Sequence, residues 1–155
     1  MVSELMEVRR VRDGVVIDHL PAGTALEVLK LLKLGEGARV VVLMNVESSK
    51  LGRKDVVKVE GRRLSNDELV ALSLLAPGAT VNTVEEYRVV SKVRATPPEE
   101  VRGFLRCPNL TCITNQEREP IKTVFRRRSE RPLSYYCTYC GTVLSGPEIV
   151  RNIRA

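Results

Sequence analysis

Hydrophobic residues recur at two different spacings along the first two thirds of this chain. Runs of strand length and β-branched character lie at Val15–His19, Val40–Val46, Lys54–Glu60, Ala79–Val84 and Tyr87–Val93. Residues 6–12 are also β-rich, and Asp13-Gly14 sets them off as a turn or bulge. Val40–Val46 is apolar without interruption, which predicts a central strand. In the next run Val57 and Val59 alternate with Val56, Lys58 and Glu60, so one face is dry and the other partly wet. Two helices interrupt these strands. Pro21-Ala-Gly opens the first, with Thr24 as cap or first-turn residue. Leu26, Leu29, Leu32 and Leu34, with Val28 and Leu31, give it a broad apolar face before Gly35-Glu-Gly37 ends it. The second covers Leu69–Ala76, behind a Ser65-Asn-Asp-Glu68 capping box and ahead of Pro77-Gly78. Glu85-Glu86 separates the last two strands or bends a single one.

The resulting order is strand, helix, strand, strand, helix, strand. That order predicts an α+β, ferredoxin-like domain over residues 1–96, an antiparallel sheet with both helices on one face. Its other face is free to receive a ligand or another subunit. Ala95-Thr-Pro-Pro-Glu-Glu100 reads as a semi-rigid linker, because two prolines remove two backbone donors and keep the chain extended. Residues 101–155 then form a second, smaller β-rich domain, with short strands at Leu133–Tyr136 and Gly141–Leu144. A unit of that size needs a staple.

The staple is visible in the cysteines. All four lie in this second domain, as Cys107-Pro-Asn-Leu-Thr-Cys112 and Cys137-Thr-Tyr-Cys140. Two tight pairs across a strand-rich insert suit a closed tetrahedral thiolate site, with zinc as the expected ion. Two disulfides or a rubredoxin-like or iron-sulfur centre are the alternatives at this level. No stretch has the pattern of a secretory signal or the length of an apolar membrane span, so a cytoplasmic setting is expected. Such a compartment favours metal over disulfides.

Net charge is +6, and much of the excess clusters at Arg126, Arg127, Arg128 and Arg131. That cluster leaves open a zinc-ribbon nucleic-acid-binding protein, although no aromatic residues interleave with it. Catalysis has little to work with. Four cysteines fill the tetrahedron, His19 is the sole histidine, and no phosphate loop or nucleophile elbow occurs. A binding or regulatory chain is the expectation. Asp18, His19, Lys54, Lys58, Asn82 and Lys92 lie on or beside strands of one sheet. Lysines in otherwise apolar strands are either solvated edge charges or point charges for a polyanion, with an aspartate available to ribose or base.

Several stretches together carry a resemblance: Val16-Ile-Asp-His-Leu-Pro-Ala22, Gly52-Arg-Lys-Asp55, Ala76-Pro-Gly-Ala-Thr-Val-Asn82, Tyr87 with Val89-Val-Ser-Lys92, and the four cysteines. In this order, over nearly the whole chain, they resemble the regulatory chains of aspartate carbamoyltransferase. The resemblance implies a non-catalytic subunit that controls pyrimidine biosynthesis and binds CTP, ATP and UTP on its N-terminal domain. Lys92 would contact phosphate with His19 nearby, Asp18 and Lys58 would hold ribose and base, and Lys54 and Asn82 would line the pocket. Backbone groups near Val11 and Tyr87 would read the exocyclic amine of the base. Cys107, Cys112, Cys137 and Cys140 would hold one structural Zn²⁺, and Asn109 would face the catalytic chain. The implied assembly is a dodecamer, two catalytic trimers joined by three regulatory-chain homodimers, with neither nucleic acid nor membrane as partner. Arg9 and Arg10 depart from an acidic and a small residue near the base pocket. Thr111 and Thr142 replace polar or basic residues at the expected catalytic contact.

Overall fold

The computed structural model describes residues 11–118 and 120–154. It separates into two compact units that meet in the chain between Thr96 and Pro97.

The first unit is a five-stranded antiparallel sheet in the order β2-β3-β1-β4-β5. The strands are β1 (Gly14–Pro21), β2 (Val40–Ser48), β3 (Gly52–Glu60), β4 (Thr80–Glu85) and β5 (Arg88–Arg94), with helices α1 (Ala25–Leu32) and α2 (Asn66–Leu75) between them. The first four strands have the ferredoxin-like order, and β5 adds an edge through a tight hairpin. Glu86 and Tyr87 close that hairpin with φ of 48° and 66°, the left-handed pair that suits a two-residue turn.

Strand alternation decides what goes inside. Val15 and Ile17 of β1, Val57 and Val59 of β3 and Val81 of β4 point to one face, where they bury against Ala25, Val28 and Leu32 of α1 and Leu72 of α2. Both helices therefore cover the same face. The buried stripe of α1 excludes Leu26, which is exposed. The helix also stops earlier than its leucine pattern suggests, because Lys33 takes a left-handed conformation and caps it. α2 begins as expected. Ser65 Oγ accepts from the Glu68 backbone N–H at 3.2 Å, while Glu68 Oε1 accepts from the Ser65 N–H at 3.0 Å.

The apolar run Val40–Val46 is not central. It forms β2 at the sheet edge, and the central strand is β1. Val40 and Val42 pack against the core, whereas Met44 is exposed. Uninterrupted hydrophobicity reports that a strand's faces are apolar, not where the strand stands in the sheet order.

Asp55 holds this architecture from below. It is fully buried on the helix side of β3, and its carboxylate accepts from the N–H groups of Gly23 at 2.9 Å, Ala25 at 3.0 Å and Asn45 at 2.8 Å. One side chain thereby satisfies the free amides at the start of α1 and the β2 bulge at Asn45. Gly14, at the start of β1, has no room for a side chain, since a Cβ would overlap the Val59 carbonyl.

The second unit is a four-stranded antiparallel sheet, β6 (Glu100–Arg102), β7 (Val124–Glu130), β8 (Leu133–Cys137) and β9 (Val143–Ser145), followed by a short helix α3 (Pro147–Arg151). Its core is small: Val101, Leu105, Phe125, Tyr135, Leu144 and Ile149, beside three of the cysteines. Among the described residues no helix is long and apolar enough to cross a membrane.

Replacing Asp55 by Ala orphans three backbone amides at once, that of Ala25 buried and those of Gly23 and Asn45 part-buried. We expect a loss of about 3 kcal/mol in unfolding free energy, read by denaturant titration, against little change for Asp67→Ala on the surface.

Candidate metal centre and open sheet face

In the second unit the chain makes two tight turns that aim sulfur at a common point. Cys107 and Cys112 bracket the first, where Cys112 N–H donates to Asn109 O at 3.0 Å and Asn115 Nδ2 donates to the carbonyls of Cys107 and Asn109. Cys137 ends β8, and Gly141 N–H turns back to Cys137 O at 2.8 Å, placing Cys140 beside it. The four sulfurs lie within 4.8 Å of one another. Cys107 Sγ is 3.5 Å from Cys140 Sγ, and Cys112 Sγ is 3.8 Å from Cys137 Sγ. A disulfide needs about 2.05 Å. Four thiolates at about 2.3 Å from one ion stand about 3.8 Å apart, so these thiols fit a tetrahedral metal site and not a pair of disulfides.

Burial, the nearby thiols and hydrogen bonds split the cysteines electrostatically. Burial pushes the Cys107 thiol up to about 12, and its thiol neighbours add to the rise. Burial likewise raises Cys137. Cys140 goes the other way. Burial acts upward on it, but hydrogen bonds to the side chain and backbone of Thr142, and to Asn109, outweigh this and hold it near 6.

In the first unit, strand register gathers the polar residues on the face without helices. Lys58 pairs with Val16, Val16 with Asn82, and Asn82 with Lys92, one row across four strands. The next row joins Asp18, Thr80 and Arg94. The β1–β3 register slips between Ile17 and Leu20, and His19 takes a φ of 59° in that bulge. The bulge brings consecutive residues to bear on one region. Asp18 Oδ1 lies 2.9 Å from Lys54 Nζ, and His19 Nδ1 lies 3.0 Å from Thr80 Oγ1. Asp18, His19, Lys54, Lys58, Asn82 and Lys92 thus share one surface.

Val11 and Tyr87 lie at the other end of β1. Val11 is buried near Gly14, and the Tyr87 N–H donates to Arg12 O at 2.9 Å. Arg9 and Arg10 fall outside the described residues. Arg94 and Thr80 were not anticipated. Arg94 follows Lys92 by two along an edge strand, and that spacing alone places it on the same face.

Burial lifts the Asp18 carboxyl, yet the Lys54 hydrogen bond, the His19 N–H and the two nearby charges bring it below 3.8. Lys58 is lowered by burial, with Asp18 opposing. A cation that pays to be dehydrated beside other cations suits a polyanionic ligand.

Two of the four arginines in the cluster are engaged within their own unit. Arg126 meets Glu100 at 3.4 Å, while Arg127 meets Glu130 at 3.2 Å and donates to Pro97 O at 2.9 Å.

The family described as the allosteric domain of the aspartate carbamoyltransferase regulatory chain matches residues 6–96, and that chain's metal-binding domain matches residues 99–150. The chain belongs to the aspartate carbamoyltransferase regulatory-chain family. Relatives carry that name along their whole length. The one from Hyperthermus butylicus is 54% identical over 148 residues, covering 94% of this chain and 92% of its own. The one from Thermofilum pendens is 51% identical over 154 residues, covering 98% and 97%. The one from Methanopyrus kandleri is 49% identical over 150 residues, covering 96% of each. It is a family of regulatory chains with a structural metal in the second domain, and the nucleic-acid reading is not favoured.

The Asp18–Lys54 pair gives a titration test. Because the folded pKa is depressed, the pair's stabilisation is complete above the ordinary carboxylate value and is lost as pH falls through the folded one. We expect a carbon-detected NMR midpoint for Asp18 below 3.8 in the native chain. In Lys54→Met burial acts unopposed by its strongest partner, and the midpoint rises.

Proposed function

We propose that this chain binds a nucleoside triphosphate on the open face of its first unit, and that binding regulates a catalytic chain docked on the second. The single observation that supports this most is the row Lys58–Asn82–Lys92, flanked by Asp18, Lys54, His19 and Arg94. Lys92, with Arg94 and His19 beside it, takes the phosphates as point charges. Asp18, steered by Lys54, accepts from ribose hydroxyls, and Lys58 reaches ribose and base. Asn82 supplies amide groups to the middle of the ligand. An exocyclic amine donates hydrogen bonds, so reading it takes acceptors. With the Tyr87 N–H committed to Arg12, the carbonyls around Val11 and Tyr87 serve that role. CTP, ATP and UTP are the ligands in view.

Cys107, Cys112, Cys137 and Cys140 hold one Zn²⁺. The ion supplies a cross-link, and four sulfurs leave no position for catalytic water. Around the site Leu110, Ile113 and Tyr139 are exposed, an apolar patch carried by the same two turns. They form the docking surface for the aspartate carbamoyltransferase catalytic chain, with Asn109 at its rim. Asn109 Oδ1 already accepts from Thr111 N–H and Thr111 Oγ1 and its amide nitrogen turns to Cys140, so its second N–H is the group it offers. The apolar β2 edge, unpaired among the described residues, gives the regulatory homodimer its surface. Three such dimers joining two catalytic trimers complete the assembly, in the cytoplasm.

Regulation then requires only that triphosphate bind two quaternary states unequally, by roughly 1–3 kcal/mol. In the reconstituted holoenzyme, CTP or ATP should shift aspartate half-saturation. Lys92→Gln should weaken triphosphate binding at least about tenfold and barely touch nucleoside binding. No shift with either nucleotide overturns the regulatory reading.

Chelating the metal at neutral pH should release one zinc per chain and unfold the second unit, since structural zinc contributes roughly 10–16 kcal/mol in small modules. Sizing of the mixture should then show free catalytic chains.

A further inference from the structure

The two turns of the metal centre share a feature that the cysteine spacing does not require. Each second cysteine is followed two residues later by a threonine, in Cys112-Ile-Thr114 and Cys140-Gly-Thr142. The local structures differ. Thr114 is buried within a single 3-10 turn, Ile113–Asn115, whereas Thr142 is half-buried just ahead of β9. Yet both hydroxyls reach the sulfur. Thr114 Oγ1 donates to Cys112 Sγ at 3.2 Å, and Thr142 Oγ1 lies 3.1 Å from Cys140 Sγ.

We infer that Thr114 and Thr142 are positioning residues of the metal centre, donating hydroxyl hydrogen bonds to the metal-bound thiolates of Cys112 and Cys140 and slowing release of the ion. The inference rests on the zinc reading above.

The physical case is a charge balance. Four thiolates on a divalent ion leave a net charge of about −2, in a site where three of the four cysteines are buried. Such a charge needs donors. A thiolate has no proton to give, so once Cys140 is ionised only the hydroxyl can donate across its contact with Thr142. A donor on sulfur withdraws charge from the site and fixes the ligand's orientation, so a proton or a competing ligand finds a less available sulfur. Thr142 is itself held in place, since its carbonyl accepts the Cys137 N–H at 2.8 Å. It therefore braces one cysteine through its backbone and another through its side chain.

The test uses the full-length, zinc-loaded chain and follows zinc transfer to a chromogenic chelator at neutral pH. Thr142→Val and Thr114→Val keep the shape and remove the donor, and each should speed release about tenfold. Thr142→Ser and Thr114→Ser keep the hydroxyl and should stay within about twofold of the native rate. In the cobalt-substituted chain, the valine variants should also shift the sulfur-to-metal charge-transfer band, which a purely packing role would leave in place. Should Thr114→Val fail to yield folded chain, the half-buried Thr142 position decides. Valine variants that load one zinc and release it at the native rate overturn the assignment to the threonines alone. A native chain that takes up no metal on its cysteines overturns the zinc reading itself.

Discussion

Four thiols cannot sit within 4.8 Å of one another and all ionise unless something positive lies among them. That conflict governs the second unit. Burial, with the neighbouring thiols adding to it, pushes Cys107 up to about 12, while against burial the hydrogen bonds of Thr142 and Asn109 hold Cys140 near 6. Two hydrogen-bonded turns nevertheless bring the sulfurs together, and a divalent ion turns the repulsion into a cross-link. The apolar core beside it is too small to order the turns alone, and those turns carry Leu110, Ile113 and Tyr139. The exposed apolar residues and the cysteine site therefore share the same two turns.

The first unit solves a different problem, how to keep a charged surface on a sheet whose other side is dry. Two aspartates show the division. Asp55, on the helix side of β3, is consumed by three backbone amides and has nothing left to give. Asp18, on the opposite side of the neighbouring strand, is bound by Lys54 and by its own neighbour's amide, yet keeps partial contact with solvent. The bulges that flank β3, at His19 and Asn45, make both arrangements possible. The β2 bulge brings the Asn45 amide to Asp55, and the separate β1 bulge brings His19 to Thr80.

Much of this was legible in the residues. The capping box at Ser65–Glu68, the two cysteine pairs and the strand parity of Lys58 and Lys92 depend on contacts near in sequence or on simple alternation, and each is realised. What escaped depends on long-range pairing. Hydropathy reports how apolar a strand's faces are and not its place in the sheet order, so Val40–Val46 read as central. A broad leucine pattern cannot say where a helix rotates, so Leu26 read as buried. Asp55 looked like one more charge in a polar loop-to-strand segment, because its three partners lie on elements 10 to 32 residues away. Arg94 was within reach of the alternation rule and was missed only because the linker prolines follow so closely.

Those prolines stand where the chain leaves the first unit and enters the second. Ala95 belongs firmly to the first unit, since its N–H donates to Ala79 O at 2.7 Å and its carbonyl accepts from Gly78 at 2.8 Å. Two residues later the chain is already fastened to the second. Arg127 Nη1 donates to Pro97 O at 2.9 Å, and the Tyr135 hydroxyl donates to Pro98 O at 2.6 Å. Tyr135 is a reliable donor, because burial pushes its pKa up to about 12. A proline carbonyl can accept but its nitrogen cannot donate, so fixing these residues falls to side chains of the second unit. Thr96 is the single residue between these two sets of anchors. β5 ends at Arg94, directly before Ala95, so the strand that carries Lys92 and Arg94 runs within three residues into the strapped prolines.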